Sequence, residues 1–192
     1  MIDIPVSEVL TLFGSLVAAG LVTGVLAGLF GVGGGAVIVP VLYQVMVIEG
    51  VDPAVQMHVA IGSSLAIIIP TAVRSFMSHR KRGAVDMALL RAWSPWIVGG
   101  VLLGAVVAKL VSGEEMKIIF SVLLLFLGLR LLIGTGGTKL GDRMPYPVMA
   151  GSGFFIGASS SLMGIGGGIL ATTFQTLYGA PLLRAIATSA GV

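Results

Sequence analysis

Gly31-Val32-Gly33-Gly34-Gly35 breaks a run of 40 uncharged residues between Glu8 and Glu49, and Gly164-Ile165-Gly166-Gly167-Gly168 breaks a second run of 40 between Arg143 and Arg184. As continuous helix, each run would measure about 60 Å at about 1.5 Å per residue. That is twice the roughly 30 Å of bilayer hydrocarbon. Each run must therefore fold back on itself, and the glycines mark the place. Every glycine adds backbone freedom that a helix has to remove, so this density stops one.

The rest of the chain agrees with a membrane setting. Hydrophobic residues make up 56% and charged residues 10%, with a mean hydropathy of +1.08. A soluble domain of 192 residues needs more polar surface than that to cover its core, so the surplus apolar surface faces lipid. The 29 glycines fit close packing of membrane helices. With no cysteine, disulfides, thiolate metal sites and thiol redox chemistry are excluded; no cofactor is implied. The net charge of +3 and pI near 9.6 reflect basic residues collected in cytoplasmic loops, not a nucleic-acid partner. Asp3 and Glu8 precede the first apolar stretch without any Lys or Arg, so it reads as a retained span, not a cleaved signal.

Further spans fall at 54–73, 92–108 and 118–134, and an apolar stretch opens at about Ala185. The runs are continuous, not alternating, which indicates helices and not barrel strands. The loop with His79, Arg80, Lys81, Arg82 and Arg91 marks the cytoplasmic side. Counting spans from it places Arg130, Lys139, Arg143 and Arg184 on that side. Asp3, Glu8, Glu49, Asp52, Glu114 and Glu115 fall outside, along with Lys109 and Lys117.

A shift of 133 lays residues 20–35 on 153–168. Gly20, Gly24, Leu29, Gly31, Gly33, Gly34 and Gly35 then meet Gly153, Gly157, Leu162, Gly164, Gly166, Gly167 and Gly168: seven identities in sixteen. Ala60-Ile61-Gly62-Ser63-Ser64 resembles Ala185-Ile186-Ala187-Thr188-Ser189 at a shift of 125. The first hairpin starts outside and the second inside, so the copies are antiparallel. The expected fold is all-α: a polytopic transmembrane helix bundle with inverted-topology repeats and broken, re-entrant helices. It forms a single membrane domain over 1–192, with repeat one at about 9–134 and an incomplete repeat two at about 147–192. Repeat arithmetic anticipates a natural chain of about 250–270 residues. Paired broken helices in inverted repeats mark secondary transporters, with the substrate at the repeat interface.

After each glycine run comes a short apolar helix, 36–48 and 169–179. Its N-terminus would lie inside the membrane, with free N–H groups and the positive dipole end beside the glycines. Successive glycine N–H groups also curl into anion-holding nests. Gly31, Gly33, Gly34, Gly35, Gly164, Gly166, Gly167 and Gly168 are therefore candidates for substrate binding, a reading preferred to one in which the same runs merely allow a tight hairpin and close helix contact. Pro40 is expected in the first turn of its helix, where a missing N–H costs nothing. Gly20, Gly24 and Gly28, matched by Gly153, Gly157 and Ser161, read as packing faces. Ser63, Ser64, Thr188 and Ser189 are the side-chain candidates, against a reading in which each bonds the carbonyl one turn back. His58 reads as interfacial, Gln175 as an interhelical hydrogen bond, and Trp93 and Trp96 as an aromatic belt.

The Gly24–Pro40 hairpin, the Ala60-Ile-Gly-Ser-Ser block, their second copies and the basic Arg80-Lys81-Arg82-Gly83 loop resemble the TauE/SafE sulfite exporter family. The resemblance covers nearly the whole chain. It implies a transporter of sulfite, thiosulfate, sulfonates or related organic anions in the bacterial cytoplasmic (inner) membrane, coupled to an ion gradient. Ala187 departs from the pattern where the first copy has Gly62, and the chain stops within the second repeat. The implied partners are a small anionic substrate and the lipid bilayer, with homo-oligomerisation left open. The expected protein is not an enzyme. The alternatives are a passive anion channel, whose pore the same helix ends would line, and, more remotely, an intramembrane serine protease using Ser63 or Ser64 with His58 or His79.

Overall fold

The computed structural model describes residues 35–133, 140–141 and 144–192, together with Gly14, Val17, Gly20, Leu21, Gly24 and Val25. Its continuous part is all-helical: α1 Gly35–Ile48, α2 Pro53–Lys81, α3 Met87–Leu110, α4 Gly113–Ile133, α5 Tyr146–Met163, α6 Gly168–Leu177 and α7 Leu182–Ser189. No strand occurs among the described residues.

Local sequence sets the helix ends. Asp52 caps α2, its Oδ1 accepting the Ala54 N–H at 2.9 Å, with Pro53 in the first helical position, where its missing N–H is harmless. Asp86 caps α3 by accepting the Leu89 N–H at 3.0 Å. At α4, Ser112 and Glu115 form a reciprocal capping box. The Glu115 carboxylate accepts the Ser112 N–H at 2.7 Å, while the Glu115 N–H reaches Ser112 Oγ at 3.3 Å. His79, Arg80 and Lys81 occupy the last turn of α2, where cations complement the dipole, and Gly83 turns the chain at φ 66°.

The helix α2 continues past the apolar span to Lys81, carrying Arg74 on an exposed position. Pro40 differs from expectation. It lies five residues beyond Gly35, inside α1, so the Ala36 carbonyl loses its i+4 donor.

Charge separates along the bundle. At one end Pro53 and Ala54 meet Gly113, close in sequence to Glu49, Asp52, Glu114 and Glu115. At the other, the loop after His79–Lys81 reaches Asp86, which pairs with Arg184. α3 and α5 run parallel in the most extensive helix pair, and glycine brings them together. A Cβ on Gly100 would strike the Phe154 carbonyl, and one on Gly157 the Ile97 carbonyl. A Cβ on Gly153 would lie 2.7 Å from the Trp93 ring. The expected packing role of Gly153 and Gly157 holds. A Cβ on Gly20 or Gly24, their counterparts in the first run, would meet nothing within 4 Å among the described residues.

Two apolar clusters result. Val39, Ala60, Ile61, Met116, Met163 and Ile165 gather between α1, α2, α4 and the α5–α6 turn. Trp93, Ile97, Met149, Ile156 and Ala171 fill the α3–α5 side. Trp93 belongs to this core and not to a belt. It is fully buried, and its indole N–H donates to the Met149 carbonyl at 2.8 Å. Trp96 sits at the edge, in edge-to-face contact with Tyr146. Large apolar side chains also cover the outside: Leu132 is 85% exposed, Leu183 81% and Leu110 77%. Such a surface suits hydrocarbon. Among the described residues, α2 and α3 are long and apolar enough to cross a membrane.

Candidate functional site

The second glycine run forms the turn between α5 and α6. Gly164 ends α5 in the left-handed conformation at φ 63°, and Gly166 repeats it at φ 77°. A side chain at either would be strained. Gly167 precedes α6, and Gly168 opens it. The first N–H groups of α6 have no partner within the helix.

Gly35 and the first serine block close on this turn. Ser64, buried in α2, donates to the Gly164 carbonyl at 2.7 Å. The Ile61 carbonyl lies 3.0 Å from where a Gly164 Cβ would stand. Gly35 approaches so closely that a Cβ there would overlap the Gly164 carbonyl oxygen and Ile165 Cα. Thus the last residue of the first glycine run and the first serine block both meet the second glycine run. Gly31, Gly33 and Gly34 lie outside the described residues.

Beside this junction is a cavity of about 820 Å³. Gly166, Gly167, Gly168 and Ser189 line one side, and Gly20 and Gly24 of the first copy also border it. Ser75, Thr71 and Ser160 add hydroxyls to walls that are otherwise mostly aliphatic, from Ile38, Leu65 and Ile68 among others. Gly168 looks into open space, whereas a Cβ on Gly167 would press on Val192 at 2.5 Å and Ile156 at 2.8 Å.

The hydroxyl candidates divide. Ser189 borders the cavity, 2.9 Å from the Thr172 hydroxyl, and donates to the Ile186 carbonyl. Thr188 is fully buried and accepts the Asp86 N–H at 2.9 Å. Ser64 is committed to Gly164, and Ser63 is half-buried on α2. His58 bonds the Ala108 carbonyl through Nε2 at 2.9 Å, so Ser64 and His58 are each engaged with backbone and do not form a dyad. Gln175 bridges helices as expected, from the Ala171 carbonyl of its own helix at 3.2 Å to that of Ala185 on α7 at 3.5 Å.

Two residues absent from the sequence-derived candidates stand out. Asp86 and Arg184 form an ion pair at 3.0 Å, beside a second pocket of about 240 Å³. A signal existed: Asp86 is the only acid between Asp52 and Glu114, and Arg184 the only charge after Arg143.

The described residues are helical, with an apolar exterior and an open-sided cavity at a glycine turn, as suits a membrane protein. Its family is identified by similarity: residues 16–192 match the family described as Sulfite exporter TauE/SafE, and the chain belongs to that membrane transporter family. A probable membrane transporter protein of Haemophilus influenzae is 33% identical over 172 residues, covering 89% of this chain and 65% of that protein. Probable membrane transporter protein YunE of Bacillus subtilis is 30% identical over 197 residues, covering 91% and 71%. One from Methanocaldococcus jannaschii is 27% identical over 196 residues, covering 96% and 69%. The chain thus spans about two thirds of the length of these relatives. No solved structure matches it.

Proposed function

We propose that this chain is the larger part of a multi-pass carrier in the bacterial cytoplasmic membrane. It moves small anions such as sulfite, thiosulfate or sulfonates, coupled to an ion gradient. The observation that carries this reading is the junction at Gly164. Gly35 and Ser64 of the first copy close on the glycine turn of the second, next to a cavity that Gly166–Gly168 and Ser189 border.

In this reading, α5 and α6 form a re-entrant hairpin. α5 starts beside Trp93, and α6 ends at Leu177, followed by Tyr178, which shares a pocket with Asp86. The hairpin leaves and returns on the basic, cytoplasmic side. The residues of the first copy form its inverted counterpart, and the substrate sits between them, as in other inverted-repeat carriers. Anion selectivity follows from donors without a fixed cation: first-turn N–H groups of α6, the helix dipole and hydroxyls. Gly31, Gly33 and Gly34 are assigned the matching role in the first copy.

The test is flux of labelled sulfite, thiosulfate and methanesulfonate into vesicles holding the full-length protein. Saturable uptake of at least one of them, driven by a pH gradient, supports a carrier. Ohmic single-channel current would turn the reading to a channel, and no flux of any would end the anion assignment.

A further inference from the structure

Arg184 and Asp86 join two parts of the chain that the glycine junction does not. Asp86 heads α3, after the basic loop, and Arg184 is in the first turn of α7, the helix that ends in Thr188 and Ser189. The Asp86 carboxylate has two engagements. Oδ1 accepts the Leu89 N–H at 3.0 Å, and Oδ2 lies 3.0 Å from Arg184 Nη2. Without Arg184, Asp86 still has its capping role. Without Asp86, the guanidinium faces a pocket of about 240 Å³ with Tyr178 and Gln175 on its walls. That is room for several waters at about 30 Å³ each, or for a small oxyanion and part of its shell.

The pair is poised and not locked. Its side chains are 58% and 29% exposed, and an ion pair so open to solvent favours closure by a factor of only about two to five. A planar guanidinium matches a sulfur oxyanion as well as a carboxylate, and in the same two-pronged way. The arrangement also has a route inward. Arg184 and Thr188 are four residues apart, on one face of α7, and Thr188 accepts the Asp86 N–H. The next residue, Ser189, borders the large cavity.

We propose that Arg184 is a docking site for the transported oxyanion at the cytoplasmic mouth. Asp86 covers it when no anion is present, and exchange of Asp86 for the anion releases α7 and with it the Ser189 wall of the cavity. The inference rests on the anion-carrier reading above. It assigns the site a fixed positive charge that the glycine turns lack.

The experiment measures thermal stabilisation of the purified full-length protein by sodium sulfite and by sodium methanesulfonate at constant ionic strength. Asp86→Asn retains the capping oxygen and removes the competitor, so the half-effective concentration should fall about two- to fivefold. Arg184→Gln should raise it about tenfold or more, and Arg184→Lys by less, because a point charge lacks the fork. If Arg184→Gln and Asp86→Asn lower stability equally, with half-effective concentrations like the parent's, the pair is only a strut and the proposal fails. Should Arg184→Gln not fold, an unchanged response in Asp86→Asn and Arg184→Lys overturns it equally. A parent that responds to neither anion fails the carrier reading first, and this inference with it.

Discussion

Replacing Gly35 by alanine perturbs the contact between the end of the first glycine run and the second. The added methyl group would overlap the Gly164 carbonyl oxygen and Ile165 Cα and stand 2.8 Å from the Gly164 carbonyl carbon. All three are backbone atoms, so no rotamer change relieves the contact. To reach the usual separation of about 3.5 Å, the start of α1 must withdraw by roughly 1 Å or more. Overpacking of this kind costs about 1–3 kcal/mol. For a chain of this size that corresponds to a fall in melting temperature of about 2–12 °C, at roughly 2–4 °C per kcal/mol. The displaced carbonyl is also the acceptor for Ser64, so Gly35→Ala and Ser64→Ala act on one atom. A double-mutant cycle should give a coupling of at least about 0.5 kcal/mol, outside the scatter seen for independent sites. The assay is thermal unfolding of the purified protein, with Gly62→Ala as control, since a Cβ on Gly62 meets nothing within 4 Å among the described residues. Equal melting temperatures for Gly35→Ala and Gly62→Ala, or strict additivity with Ser64→Ala, would refute the junction.

Ser64→Ala alone should lower stability by about 0.5–2 kcal/mol. The lower bound follows membrane hydrogen bonds, which average about 0.6, and the upper follows a buried carbonyl left unpaired. Measured transport should fall with it, and a variant with the stability and flux of the parent would remove Ser64 from the junction. The orientation is tested by introduced cysteines, these 192 residues having none of their own. Cysteine at exposed Glu49 should react with an impermeant thiol reagent in intact cells, and cysteine at exposed Arg82 only after lysis. The neighbouring Gly50 and Gly83 are unsuitable, because φ values of 68° and 66° would strain any side chain there. The reverse labelling pattern would invert the topology.

How far the sequence could be read depended on whether a feature is local. Helix breaks at the second glycine run, the short helix after it, the spans and the segregated charges all follow from neighbours in the chain. Each appears in α2–α6 within a few residues of expectation, except that α2 runs on to Lys81 because polar residues continue a helix as readily as apolar ones. Features that need a partner were not legible. Trp93 looks like a belt residue until Gly153 lets α5 close over its ring. Ser64 and Ser189 occupy matched positions in the repeat, yet one donates to Gly164 across 100 residues and the other to the Ile186 carbonyl three residues back. Gly62 and Ala187 differ between copies at little cost, for the Gly62 position is open. Gly20 and Gly24 resemble Gly153 and Gly157 in sequence, and among the described residues they border the cavity.

The cavity beside the glycine junction is the proposed path, and Gly168 allows it to be filled directly. Its position at the start of α6 faces open space, so tryptophan there places a large ring in the cavity without a backbone clash. In proteoliposomes of the full-length protein, Gly168→Trp should reduce pH-gradient-driven uptake of labelled sulfite to background, at unchanged yield and melting temperature. Gly62→Trp, which adds the same ring at the exposed, open position on α2, should transport like the parent. Uptake by Gly168→Trp at the parent rate would contradict the account.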